Sequence, residues 1–378
     1  MAQARVDRVL VVGGGITGCT LALALARRGV AVTLLEVRTH WTGIGHGITI
    51  QGNALRAFRA VGILDELLTK GVPFDKLRLR NAGDGALIAE LPTPHTGGED
   101  LPATLGALRA DLADILARAV RAAGVEVRLG TTVMAVTDTG DGVVADLSDG
   151  TTVRADLLVG ADGIRSAVRE MLGFDVGPQP VGMGIWRVVA SRPPEMECAE
   201  IYYHGPQYKA GYSPISDDLC YAYLIEGNLD PSFIGEHPYG KVLKEHGQGY
   251  GGTWGHIRDG LADDAIVNYT WIESVRLPSP WYRGRSIVIG DAAHACPPLI
   301  AQGAAMCSED AVVLAELLTS GVSVDEALPA FMDRRWARVK MVLDNSLKLA
   351  DWEIHPDRPD ADPAGIMSAT LSALRSPA

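Results

Sequence analysis

Residues 6–36 read VDRVLVVGGGITGCTLALALARRGVAVTLLE, and this stretch decides the fold. Val6 to Val12 is a short, nearly continuous apolar run, the pattern of a strand buried on both faces of a parallel sheet. An apolar helix follows from about Ile16 to Arg28, Gly29 ends it, and Ala31 to Glu36 supplies a second strand. Strand, helix and strand fit within the roughly 30 residues of a βαβ unit. Between the first strand and the helix lies Gly13-Gly14-Gly15-Ile16-Thr17-Gly18, a G-x-G-x-x-G loop. Gly13 permits the tight turn, Gly15 lets a pyrophosphate approach the backbone, and Gly18 lets the helix pack closely on the sheet. The anion sits at the helix N-terminus, where unpaired N–H groups and the helix dipole favour negative charge. Glu36 follows about 20 residues on, where a carboxylate can accept both hydroxyls of an adenosine ribose and would repel a 2′-phosphate. The motif alone does not separate FAD from NAD.

Working outward, the same stretch raises and answers a membrane question. Val9 to Ala26 carries no charge over 18 residues, near the length of a membrane span, but three consecutive glycines interrupt it and Arg27 and Arg28 end it. No signal-peptide pattern precedes it. Across 378 residues, 34 Lys and Arg stand against 46 Asp and Glu, a net charge of −12 that argues against capture of nucleic-acid backbones. Cys19, Cys198, Cys220, Cys296 and Cys307 are scattered and form no C-x-x-C pair, so neither a disulfide framework nor a metal site is expected, and a cytoplasmic setting fits.

Downstream, Asp75 to Leu91 alternates around Gly83-Asp84-Gly85 as a hairpin, and Arg109 to Ala123 returns to a helical stripe. From Thr131 to Val159, two Asp-Gly turns join three alternating strands into a meander. Candidate strands at Gly184–Ala190, Cys198–His204 and Leu219–Glu226 mark a second, sheet-based domain. From Gln302 one long helical pattern runs to about Trp352, and the acidic, proline-rich His355–Pro363 reads as a loop or tail. The expected fold class is α/β: a Rossmann-like FAD-binding domain of the glutathione-reductase type, a smaller β-sheet substrate domain and a long C-terminal helical segment. Its expected boundaries are 1–73 with 101–175 and 281–353 for the first domain, 74–100 with 176–280 for the second, and 354–378 for the tail.

Two later motifs, LVGADGIRSAVR at Leu158–Arg169 and SIVIGDAAHACPPLIAQG at Ser286–Gly303, complete a set of three with the amino-terminal glycines. Together they resemble the fingerprints of the single-component, group A FAD-dependent aromatic monooxygenases of the p-hydroxybenzoate and salicylate hydroxylase type. The resemblance covers about residues 6 to 350 and includes Gly47-Ile48, Asn53-Ala54, Arg109-Ala110-Asp111-Leu112 and Trp186-Arg187. Pro298-Leu299-Ile300-Ala301-Gln302-Gly303 departs from the commoner pattern and looks more like the hydroxynicotinate and hydroxypyridine oxygenase branch.

The resemblance implies FAD as cofactor, NADH or NADPH as transient reductant, and O2 adding at the flavin C4a carbon to give a hydroperoxide that hydroxylates a small aromatic or heteroaromatic substrate. It places Asp162 between flavin and nicotinamide sites, Asp291 on the ribityl chain, Arg109 near the FAD phosphates and Gly303 at the flavin. It also puts His46 in the loop over the flavin, as a proton acceptor or as a solvent-exposed loop residue. Tyr221 and Tyr223 share a strand face by their period of two, as pocket lining or as ordinary core. Tyr223 is a second candidate for proton relay, Tyr212 and Tyr221 are candidates for substrate contact, and Arg187 pairs with a substrate carboxylate or with local backbone. His294 reads as a structural hydrogen bonder and Cys296 as a packed thiol. Monomer and homodimer both remain open. So do a flavin oxidase, dehydrogenase or epoxidase, and a non-catalytic FAD protein that sequesters a ligand.

Overall fold

The computed structural model describes residues 6–41, 46–229 and 238–378. The opening apolar run forms the strand Arg8–Val12, paired in parallel with Ala31–Glu36 on one side and Leu157–Gly160 on the other. The six-stranded sheet runs in the order Tyr282–Arg283, Ser286–Val288, Leu157–Gly160, Arg8–Val12, Ala31–Glu36, Glu126–Leu129, and only its first pair is antiparallel. The helix Ile16–Ala26 is rich in Ala and Leu and is buried from Thr17 to Leu25, as an all-round apolar helix must be. It packs between this sheet and the helix Gly303–Leu318. The meander forms as Val133–Asp138, Val143–Leu147 and Thr152–Ala155.

A second, seven-stranded sheet has the order Val267–Ser274, Gln179–Ser191, Leu219–Gly227, Lys209–Pro214, Ala199–Tyr203, Lys76–Asn81, Leu87–Pro92. The hairpin read around Gly83-Asp84-Gly85 thus joins the later strands, while Lys209–Pro214 and Val267–Ser274 are strands that the sequence reading missed. One face of this sheet packs against the helices Tyr239–His246 and Gly252–Gly260 through Trp186, Tyr202, Tyr212, Leu224, Leu243 and Trp254. The other face meets the turn Pro298–Ile300 and the long C-terminal helix through Ile185, Ile225, Leu299, Ile300, Leu349 and Trp352. A small sheet of Gly47–Gln51, Thr104–Leu108 and Val72–Phe74 bridges the two large ones.

One expectation needs correction. The long helical pattern is two helices, Gly303–Leu318 and Val324–Ile354. Gly321 between them has φ +91°, and Ser323 with Glu326 forms a capping box that starts the second. The tail also holds a helix, Pro363–Ala373, whose Asp362 cap accepts from the Gly365 N–H at 2.8 Å and which is followed by the fully buried Leu374. Among the described residues, no helix is long and apolar enough to cross a membrane, no group of three metal-ligating side chains occurs, and the five cysteines are unpaired.

Candidate active site

The glycine loop shows three different constraints. Gly13 has φ +107°, and a side chain there would run into the Ala161 carbonyl. A Cβ on Gly18 would collide with the Gly13 carbonyl oxygen, so the helix reaches the sheet only with glycine at this position. At Gly15 the space is open, with no atom within 4 Å of the missing Cβ. The helix behind it has no side-chain cap and no acidic residue in its first turn. Glu36 is fixed at the edge of the loop, accepting the Gly14 N–H at 2.9 Å and the Arg38 N–H at 2.9 Å, while Trp41 Nε1 donates to the Gly14 carbonyl at 2.8 Å. An open side over an uncapped helix end, beside a positioned carboxylate, fits a diphosphate-linked dinucleotide such as FAD.

The later motifs close around this loop. Asp162 lies against Gly13, and both its oxygens are engaged by the chain itself: Oδ1 accepts from the Ser166 hydroxyl at 2.5 Å and Oδ2 from the Val168 N–H at 3.0 Å. It therefore fixes the turn into the helix Ala167–Met171. Asp291 opens the helical turn Asp291–His294 after Gly290, whose φ of +62° aims the chain, and the Cys307 thiol donates to its Oδ1 at 3.6 Å. Gly303 starts the next helix, again without an acidic residue in the first turn. Gln302 just before it is buried, with its Oε1 accepting from Asn53 Nδ2 at 3.0 Å and its Nε2 unpartnered among the described residues. Such an orphaned buried donor at the motif's end is a further mark of a polar ligand.

Behind these loops lies a buried charge network that sequence reasoning missed. Arg335 donates to Asp310 at 2.7 Å and to Glu309 at 2.8 Å, and Arg338 donates to both oxygens of Glu309 at 2.8 Å. His294 bonds Asp310 through Nε2 at 2.6 Å, so it is the structural hydrogen bonder anticipated. Burial raises the pKa of Asp310, but His294 and Arg335 outweigh it and hold the carboxyl below its ordinary range. The available signal was two adjacent acids, Glu309-Asp310, in the middle of a mostly apolar helix. The Cys296 thiol is pushed up to about 12 by burial, in keeping with an inert packed group.

The face of the seven-stranded sheet opposite its two covering helices carries the other candidates. Arg187 pairs in register with Tyr223, and Tyr221 with Ser213, so these side chains point to one face. Ser213 and Thr49 hydroxyls meet at 3.4 Å, which brings this face to the bridging sheet and to His46. His46 is held below its ordinary pKa by burial and by the positive charges of Arg187 and Arg109. Arg109 is the first residue of the helix Arg109–Ala122, and its N–H donates to the His46 carbonyl at 3.0 Å. Burial raises the Tyr221 pKa, and Arg187 and Arg109 oppose that rise. Arg187 itself donates to Thr270 at 2.7 Å. His46, Arg109, Arg187 and Tyr221 thus form one electropositive group. Gly45, beside His46, lies outside the described residues.

Tyr212 is a correction. It is paired in register with Ala222, so it shares the opposite face of the sheet and is buried beside Tyr202, with ring centroids 6.0 Å apart. It cannot reach a ligand on the Tyr221 side without turning the strand over.

These features define a flavoprotein oxidoreductase site, built around a dinucleotide cradle. The family model described as "FAD binding domain" matches residues 7–224 and 257–346, and the chain belongs to that family. It is 32% identical to a putative FAD-dependent monooxygenase, YetM, of Bacillus subtilis, over 88% of this chain and 90% of that protein. It is also 32% identical to a 2-heptyl-3-hydroxy-4(1H)-quinolone synthase of Pseudomonas aeruginosa, over 91% and 90%. Among solved structures, 2-methyl-3-hydroxypyridine-5-carboxylic acid oxygenase superposes with a TM-score of 0.81 at 26% identity, covering 98% of this chain and 96% of the other. The protein is an FAD-dependent monooxygenase of the aromatic hydroxylase group.

Proposed function

We propose that this enzyme hydroxylates a small aromatic or heteroaromatic ring that carries an anionic group, with NADH or NADPH as reductant and O2 as co-substrate, in the cytoplasm. The observation that carries the reading is the convergence of Arg187, Arg109, Tyr221 and a His46 of lowered pKa on one face. The Arg187 guanidinium favours a carboxylate or phenolate. His46, neutral at pH 7, is available to take the proton of a ring hydroxyl. Tyr221 stays protonated and donates to the bound anion. Tyr223, in register with Arg187, would relay that proton.

FAD, when bound, supplies the redox and oxygen chemistry. Gly13, Gly15, Gly18 and Glu36 would hold its adenosine diphosphate part, Asp291 and Gly303 its ribityl and ring end, and Arg109 its phosphate region. Asp162 keeps the adjoining turn in place. Hydroxylation is favoured over oxidase or dehydrogenase chemistry by the names of the relatives, and over simple sequestration by a proton acceptor among cations. The test is a screen of FAD-loaded protein with phenols, aromatic acids and hydroxypyridines, following NADH and NADPH oxidation, O2 uptake and product. One ligand that accelerates both and appears stoichiometrically hydroxylated is expected. Equal stimulation by all ligands, with every reduced oxygen recovered as peroxide, refutes the reading.

A further inference from the structure

The same sheet face bears a charge pair that the proposed chemistry leaves unused. Lys209 begins the strand Lys209–Pro214 directly opposite Ile225 and is buried, 4% exposed. Its ammonium pairs with Glu353, one residue before the end of the long helix Val324–Ile354. Burial disfavours the ammonium, but Glu353 and Tyr203 beside it outweigh that, so the Lys209 pKa is raised and the pair is ionic. The second carboxylate oxygen, Oε2, is buried and has no hydrogen-bond partner among the described residues. Tyr223 feels both Tyr203 and Glu353 electrostatically, which places the pair beside the candidate pocket. The core cluster on this face is mostly apolar, with Ile185, Ile225 and Trp352, though Tyr208 packs against it and Trp352 Nε1 is also buried without a partner among the described residues.

A buried ion pair contributes little net stability, and an apolar pair of similar size serves a core as well or better. An unpaired carboxylate lone pair in such surroundings is costly unless something donates to it. An ammonium next to a carboxylate presents a donor and an acceptor side by side. The complementary ligand edge is a ring carbonyl next to a ring N–H, the lactam form of a 2-hydroxypyridine. Lys209 lies one side-chain period along the sheet and two strands across from Arg187, a separation on the order of 12 Å between backbones. That span suits a single ring with its anion at Arg187 and a lactam edge at the far end.

We propose that Lys209 and Glu353 form a second recognition point of the substrate pocket, which selects rings bearing adjacent C=O and N–H groups opposite their anionic end. The inference rests on the reading of this face as the substrate pocket. Lys209 donates to the carbonyl oxygen and Glu353 Oε2 accepts from the N–H.

The test is calorimetric binding to the FAD-loaded protein of two probes with a common carboxylate. One is 6-hydroxynicotinate, with a lactam edge opposite that group, and the other is 4-hydroxybenzoate, with a hydroxyl alone. Wild type should bind the first at least about tenfold more tightly, the loss expected for one charged hydrogen bond. The Lys209→Met/Glu353→Leu double variant, which leaves no charge unpaired, should reduce the preference below about threefold. Should that variant fail to hold FAD, Glu353→Gln decides: a preference cut at least about threefold supports the proposal and an unchanged one overturns it. Equal binding by wild type, or a preference intact in the double variant, also overturns it. Arg187→Met should weaken both probes alike. If it weakens neither, the anionic end is misassigned while the lactam preference still stands or falls by its own variants, and if wild type binds neither probe, both readings fall.

Discussion

Tyr221 rests directly on Gly47: a methyl group at position 47 would collide with the Cβ and Cγ of the tyrosine. Gly47 begins the strand Gly47–Gln51 and follows His46, so this contact sets the candidate proton acceptor against the seven-stranded sheet. Gly47→Ala should cost about 1–3 kcal/mol through overpacking. It should also raise KM for the aromatic substrate while FAD stays bound. Thermal unfolding followed by flavin fluorescence, with steady-state kinetics, checks both; unchanged KM would detach the contact from substrate binding.

At Gly15 the effect should be the reverse. The missing Cβ faces open space in the chain itself, so Gly15→Val should fold with an unchanged circular dichroism spectrum and yet fail to retain FAD. Asp291→Ala should weaken retention less severely. A folded Gly15→Val protein with wild-type FAD affinity would contradict the cradle.

The pH profile reports on His46. Burial, Arg187 and Arg109 lower its pKa, so the neutral, proton-accepting form persists below the ordinary value of about 6.5. The acid limb of kcat/KM should therefore lie below pH 6.5. Arg187→Met removes one opposing charge and should move that limb upward, whereas His46→Ala should abolish it. An acid limb that stays in place in both variants assigns it to another group.

Arg335 is fully buried between Asp310 and Glu309. Arg335→Met leaves two buried carboxylates without this partner and should destabilise the protein by roughly 3–5 kcal/mol, measured by denaturant unfolding at pH 7. Both carboxyls have lowered pKa values, so in wild type their contribution is present above the ordinary carboxylate range and is lost as pH falls through the lowered values. Wild type should accordingly lose stability on acidification from pH 5 downward, and the variant should lose less.

The cofactor half was legible because its constraints are local. Gly13, Gly15 and Gly18 act within one turn, and Glu36 closes the βαβ unit that they begin. The other half depends on register. Alternation along 219–227 puts Tyr221 and Tyr223 together, but which face Tyr212 joins depends on its pairing with Ala222, a relation between strands that no single-strand pattern contains. The break at Gly321 was readable, since Ser323 and Glu326 stand at capping-box spacing, and so was Asp362-Pro363 as a helix start. Of the network around Arg335 only the adjacent acids Glu309-Asp310 were a signal, because their partners His294, Arg335 and Arg338 stand on other elements and only packing brings them together.

The strand Leu219–Gly227 has a consequence for descent. Tyr221 and Tyr223 lie on the face opposite the covering helices, whereas Cys220, Ala222 and Leu224 are sewn into the core beneath those helices. Mutation at the odd positions can explore new ligands without opening that seam, and mutation at the even positions tears it without offering a ligand anything. Lineages built on this strand should diverge in what they accept at every second residue and stay alike at the residues between.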